Sequence, residues 1–179
     1  MLVEALGSNT VCKELVLAHL EVSDASAALF GNMLKTNQTL QTLNLEGNRI
    51  SSTGVVALVK GLAENKALLQ LNLLSQSKGA FGDACLTDVI NMFEKNVTIR
   101  KITWRLDSRK SFAINKLIVR NNDIHRRVSS GRDVSELLPG SVNSVPPGAR
   151  VELEVVKPTI AQGKLQMVVT GKFGQEINS

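Results

Sequence analysis

Apolar positions in this chain recur on a long period. Asn9, Asn37, Asn65 and Asn96 stand 28, 28 and 31 residues apart, and each opens the same phrase. The phrase running from Asn37 through Leu40, Leu43 and Leu45 aligns with Asn9 through Cys12, Leu15 and Leu17. It aligns equally with Asn65 through Leu68, Leu71 and Leu73, and with Asn96 through Ile99, Ile102 and Trp104. Alternation of apolar and polar residues at the end of each phrase predicts a short strand with one buried face. The second copy adds Asn48 and Ile50, giving a strand followed by a turn whose Asn side chain bonds backbone groups that the turn leaves unpaired. Leu20, Gln76 and Asp107 hold the place of Asn48 in the other copies.

Beyond each strand the apolar spacing becomes helical, with Ala28, Leu29, Met33 and Leu34, then Leu58, Val59 and Leu62, then Val89, Ile90 and Phe93. Asp24, Ser52 and Asp83 are expected to cap these helices. One block is therefore strand, loop, helix and loop. No block can bury its own apolar side, so neighbours must stack. The expected fold is an α/β leucine-rich-repeat solenoid, with parallel strands on the concave face and helices on the convex face. Residues 2–9 read like 58–65, so the chain is expected to start partway through a repeat, either cut from a longer protein, the favoured reading, or with this helix serving as a polar N-terminal cap. The loop 75–82 is three residues longer than its counterparts, as a contact loop or as simple drift. A last helix is expected over 111–120, with 121–127 leaving it. Breakers at Gly131, Pro139, Gly140, Pro146, Pro147 and Gly148 mark a linker. Runs at 151–156 and 165–170 alternate and flank Pro158 and Gly163, as in a β-hairpin. The organisation read from this is a repeat domain over 1–128, a linker over 129–148 and a hairpin extension over 149–179. A lone hairpin is marginal in water. It is expected to lean on the repeats, to pair with a partner, or to self-associate.

Composition narrows the picture. Five Phe, one Trp and no Tyr demand an aliphatic core, which suits thin stacked layers. No apolar run approaches the roughly 18 residues of a membrane span, and the first residues lack the basic and apolar regions of a secretory signal. Two cysteines make neither a disulfide framework nor a metal site, so the cytoplasm is the default location. Cys12, at a repeat core position, reads as a small buried apolar residue. The net charge of +5 is concentrated: residues 101–135 hold nine Lys/Arg against three Asp/Glu, a net +6. Such a segment attracts an acidic surface. Nucleic acid is disfavoured as that surface, because the segment offers for stacking only Trp104, at a repeat core position, and Phe112. His19 and His125 are far apart in sequence; the first reads as an edge residue, and the second sits where it can tune the basic cluster. No phosphate loop, nucleophile elbow or metal-ligand spacing is present. The chain is read as a non-enzyme without cofactor or metal.

A more specific likeness runs from Phe30-Gly31 and Leu34-Lys35 to Asn37, through Leu43–Ile50 and Gly54–Asn65, and closes in Asn121-Asn122-Asp123 and the pair Arg126-Arg127. This order resembles the C-terminal leucine-rich-repeat domain of tropomodulins and leiomodins, within the ribonuclease-inhibitor class of repeats. The likeness covers about residues 28–128; the region near Gln76 and the tail depart from it. The resemblance implies a cytoskeletal interaction module that binds actin, an acidic protein, as in pointed-end capping. The contact surface expected on that basis joins strand positions Thr42, Asn44, Glu46, Gln70, Asn72, Lys101, Thr103 and Arg105 to a basic edge of Arg109, Lys110, Arg120, Arg126 and Arg127. Two other readings stay open: a scaffold repeat without actin contact, and a GTPase-regulating repeat protein.

Overall fold

The computed structural model describes residues 2–77 and 81–140 together with five short strands between 154 and 178. Two units are distinguished, Met1–Ser144 and Val145–Ser179. In the first, helix α1 (Leu2–Gly7) precedes β1 (Glu14–Val16), α2 (Asp24–Thr36), β2 (Thr42–Asn44), α3 (Ser52–Leu62), β3 (Gln70–Asn72), α4 (Asp83–Phe93), β4 (Lys101–Thr103) and α5 (Lys110–Ser129). The strands form one parallel sheet in chain order. Its register joins Leu15, Leu43, Leu71 and Ile102 in one row, and consecutive helices pack in the same order.

The repeat phrase explains this order. Leu40, Leu43, Leu45, Leu68, Leu71, Leu73 and Ile99 are buried, as are Leu58, Leu62, Leu86, Val89 and Phe93 from the helices. Each row of leucines covers the next block's row, so apolar area leaves water only where two blocks touch. The first row differs: Leu15, Leu17 and Cys12 are half-buried and pack against the core rather than within it. Cys12 was expected to be buried; it lies in the outermost strand row, where a second neighbour is lacking among the described residues.

The phrase-opening asparagines bind the blocks together. Asn65 Oδ1 accepts from the backbone N–H of Ala67 and Leu68 at 2.9 and 2.7 Å, while its Nδ2 donates to Leu34 O and Asn37 O at 2.7 and 2.8 Å. Asn37 repeats this one block earlier and Asn96 one block later. Asn48 builds a second ladder on the other side of the strands, accepting from Leu20 and Val22 N–H and donating to Leu17 O and Leu45 O. Gln76 continues it, with Nε2 on Leu45 O at 2.8 Å and Oε1 accepting from Ile50 N–H. One extra methylene reaches the same row.

Several boundaries differ from the sequence expectation. The caps sit one residue earlier: Ser23 Oγ accepts from Ser26 N–H and Ser51 Oγ from Thr53 N–H, whereas Gly82 leads α4 without a side-chain cap. Asp24 instead reaches the next block and accepts from Ser51 N–H and Ser51 Oγ, both at 2.7 Å. In α2 the buried stripe is Ala27, Phe30, Met33 and Leu34; Ala28 is half-buried and Leu29 faces water. Helix α5 does not end at 120, because Ile114, Asn121 and Ile124 continue one buried stripe at helical spacing.

In the second unit, Glu154–Val155 pairs antiparallel with Val168–Thr170, which also pairs with Glu176–Asn178. Thr159–Ala161 and Lys164–Gln166 form a separate antiparallel pair between them. The expected pairing of 151–156 with 165–170 as one hairpin is thus divided, since Leu165 and Gln166 are taken by the inner pair. Residues 151–153, 156 and 167 of those runs lie outside the described residues, as do 141–148 of the expected linker.

Candidate functional site

The sheet's solvent face is built by strand alternation. Glu14, Thr42, Gln70 and Lys101 stand in one row, and Val16, Asn44, Asn72 and Thr103 in the next. Because neighbouring strands are about 4.8 Å apart, these residues line up across the sheet. The first row runs from a carboxylate on β1 to an ammonium on β4. Beyond it, Glu46 is half-buried and Arg105 exposed.

Some expected contact residues already have structural tasks. Asn44 Oδ1 accepts from Glu46 N–H, and Asn72 Oδ1 from Leu74 N–H, both at 3.0 Å. Asn72 Nδ2 also donates to Glu46 Oε2 at 3.0 Å. These bonds fix the turn after each strand. Thr42, Gln70, Lys101, Thr103 and Arg105 complete the face, with Gln70, Lys101 and Arg105 exposed.

At the start of α5, Arg109 is exposed, but Lys110 is not a free charge. Its Nζ donates to Asp83 O at 2.7 Å and to Thr87 Oγ1, while Ser108 Oγ donates to Asp83 Oδ1 at 2.7 Å. Lys110 therefore fastens α5 to α4. Arg120 is committed more deeply. Its Nη2 donates to Phe93 O at 2.8 Å, to Asn96 O at 3.2 Å and to Asn121 Oδ1 at 2.8 Å. The first two carbonyls match those that each ladder Asn takes from its preceding block. Asn121 in turn donates to Asn96 O and Ile99 O. Arg120 and Asn121 thus close the asparagine ladder from within a helix. Burial draws the Arg120 guanidinium below its ordinary pKa. At the far end of α5, Asp123 holds Arg126 at 2.5 Å and Arg127 at 3.1 Å; the Arg126 side chain stays 81% exposed.

Two features went unread in the sequence. Phe81 and Trp104 meet with ring centroids 5.9 Å apart, beside a hollow of about 360 Å³ lined by Leu73, Leu74, Ser75, Gln76, Phe81, Arg105 and Asp107. Residues 78–80 of the longer loop, read as a contact loop or drift, lie outside the described residues. The other feature is the outer face of α5, where Phe112, Val119 and Val128 are exposed. Phe112 lies off the Ile114–Asn121–Ile124 stripe, and that offset was a legible signal. Among the described residues no group of three or more His, Cys, Asp or Glu is placed to hold a metal ion, and no helix is long and apolar enough to cross a membrane.

Comparison with known proteins covers the same residues. The TMOD/LMOD leucine-rich domain matches residues 1–124. Leiomodin-2 of Gallus gallus is 31% identical over 125 residues, which are 69% of this chain and 22% of that protein. Tropomodulin-4 of Homo sapiens is 31% identical over 127 residues, 70% of this chain and 36% of that protein. The chain therefore spans only about a fifth to a third of the length of these relatives. Among solved structures, one described as leiomodin-1 actin-binding site 2 superposes with a TM-score of 0.69 at 28% identity, covering 72% of this chain and 75% of the other. A tropomodulin C-terminal domain from Caenorhabditis elegans superposes with a TM-score of 0.64 at 15% identity over 73% of this chain and 96% of the other, which speaks to fold alone.

Proposed function

The chain belongs to the tropomodulin/leiomodin family, and from that premise we propose that it is a cytoskeletal protein–protein interaction module that binds actin. The observation carrying this reading is the likeness, at 28% identity, to a leiomodin-1 segment named for actin binding. The four strand–helix blocks are read as a short solenoid whose concave sheet face and basic helix meet the filament together. Thr42, Gln70, Lys101, Thr103, Arg105 and Arg109 would supply contacts, and Arg126 and Arg127 would add charge. Asn44, Asn72, Lys110 and Arg120 would serve by holding the surface in shape, since their polar atoms are bonded internally. Net charge of +6 over 101–135 supports an acidic partner, because complementary fields raise association rates and align the encounter. Capping of the pointed end is the finer form of this proposal, with a cytoplasmic, filament-associated location.

Co-sedimentation with filamentous actin tests binding, and elongation from filaments blocked at their barbed ends tests capping. The expected outcome is saturable pelleting together with slowed pointed-end growth. Pelleting without an effect on growth would restrict the function to filament-side binding. A chain that stays in the supernatant at saturating filament would leave a scaffold without actin contact. For the second unit, self-association through its strands is open to sedimentation velocity, where a mass rising with concentration is the expected sign.

A further inference from the structure

Helix α5 closes on Arg126, Arg127, Val128 and Ser129. Two guanidinium groups thus stand three and two residues before a serine, with an apolar residue just before it. Kinases select substrates by such charge patterns, through acidic pockets that take the arginines. The motif is presented outward: Ser129 is exposed, Val128 is 59% exposed, and Arg126 projects into water. The last turn is held by its own backbone and by polar side chains of the same helix end, the Ser130 hydroxyl and the Asp123 carboxylate. Ser130 N–H donates to Arg126 O, Gly131 N–H to Val128 O and Arg132 N–H to Arg127 O, with Gly131 at φ +67°. From residue 125 to 133 every residue except Arg127 is exposed, so no buried side chain opposes unwinding of this turn into the extended form an active-site cleft accepts. Other candidate hydroxyls nearby are less available. Ser130 Oγ donates to Arg126 O and Arg127 O at 3.1 Å, Ser108 Oγ is bound to Asp83, and Ser111 is half-buried.

We propose that Ser129 is the acceptor site of an arginine-directed serine kinase, and that phosphate there weakens the basic end of the domain. Ser129 Oγ attacks the γ-phosphorus of ATP. The new Oγ–P bond forms as the bond to the β–γ bridging oxygen breaks, ADP leaves, and the hydroxyl proton passes to the kinase's catalytic carboxylate. The product carries a charge of about −1.5 to −2 at neutral pH. It sits one turn from Arg126, which Asp123 now holds, and competes with that carboxylate for it. The segment 101–135 falls from +6 to about +4. This regulatory consequence rests on the actin reading; the acceptor assignment does not.

The test treats the full chain with ATP and the catalytic subunit of a cyclic-nucleotide-dependent serine kinase, then maps phosphate by tandem mass spectrometry. One phosphate on Ser129 is expected, lost in Ser129→Ala and kept in Ser130→Ala. The double change Arg126→Ala, Arg127→Ala should lower incorporation by roughly tenfold or more, as expected when desolvated charge contacts are removed. Phosphate on another residue, or none on Ser129, overturns the assignment. Fully phosphorylated chain should then bind actin filaments about three- to tenfold more weakly at low salt, with the difference shrinking as screening shortens the field. Equal affinity of the two forms overturns the switch. Should the unmodified chain not bind filaments at all, the actin reading and the switch fall together, while the mapped phosphate decides the acceptor site independently.

Discussion

Asn65 is buried, yet each polar atom of its side chain is bonded to backbone, two N–H groups on one side and two carbonyls on the other. No buried side-chain N or O among the described residues lacks a partner. Replacing Asn65 by Ala strips four backbone groups of their partner in a place water reaches poorly. The expected loss is about 3 kcal/mol, or a fall of roughly 10 °C in the thermal midpoint, measured by calorimetry. An unchanged midpoint would show the ladder to be decorative. The two thiols offer a second residue-level test. Burial is the main cause pushing the Cys85 thiol up to about 11, with the nearby Asp88 carboxylate adding to it, whereas Cys12 is half-buried. Cys85 should therefore alkylate far more slowly than Cys12 in the native protein, because the thiolate is the reacting form. Its ordinary value is 9.0, so the unfolded chain ionises first on raising the pH. The stability tied to the neutral thiol is whole below pH 9 and is lost between 9 and 11. Denaturant midpoints across that range would read the loss, and Cys85→Ala should remove this part of the pH dependence. The asparagines were legible as period markers in the sequence. Their partners were not, since a carbonyl 28 or 31 residues away becomes a neighbour only after the blocks stack.

At the scale of elements, the contact between α2 and α3 depends on two glycines that carry no apolar signal. A Cβ on Gly61 would lie 1.9 Å from Gly31 O, and one on Gly31 would lie 2.3 Å from Ala57 O. The helix backbones touch here without side chains between them. Gly-to-Ala in a free helix is favourable by about 1 kcal/mol; here Gly61→Ala should instead destabilise by at least about 2 kcal/mol, because packed backbone must part. Urea denaturation decides the sign, and a stabilised variant would refute the close contact. The helical period placed α2, α3 and α4 in the sequence and picked Met33 and Leu34 correctly, but in α2 it put Ala28 and Leu29 where Ala27 and Phe30 are buried. Leu29 is as apolar as Leu34, and only the position of α3 decides which one is covered. Caps moved by one residue for a similar reason. Asp24 has the chemistry of a cap, yet Ser51 of the next block recruits it.

Across the whole repeat unit, charge and face combine. The proposed filament binding through a +6 segment should weaken steeply with salt, since exposed charges more than about 10 Å apart are largely screened at 0.1 M. The double change Lys101→Glu, Arg105→Glu reverses two exposed charges on β4 and its turn. It should lower actin affinity at low salt by at least about tenfold and flatten the salt dependence, while thermal stability stays within about 0.5 kcal/mol. Gln70→Ala on the same face should change affinity far less. If charge reversal left pelleting unchanged, contact would have to run through the opposite, helical side.

The sequence alone determined the number of blocks, the strand register and the aliphatic core, because a 28-residue period in Leu and Asn has one economical way to hide its apolar side. It also located the basic segment, since charge is a property of composition. Tertiary structure decided which basic residues are available: Arg120 completes the ladder over Phe93 O and Asn96 O, and Lys110 ties α5 to α4, while Lys101, Arg105 and Arg109 face water. The physical reason is that a long cationic side chain bonds whatever unpaired carbonyl lies within reach. Which carbonyls are left for such a side chain is fixed only once the blocks have stacked.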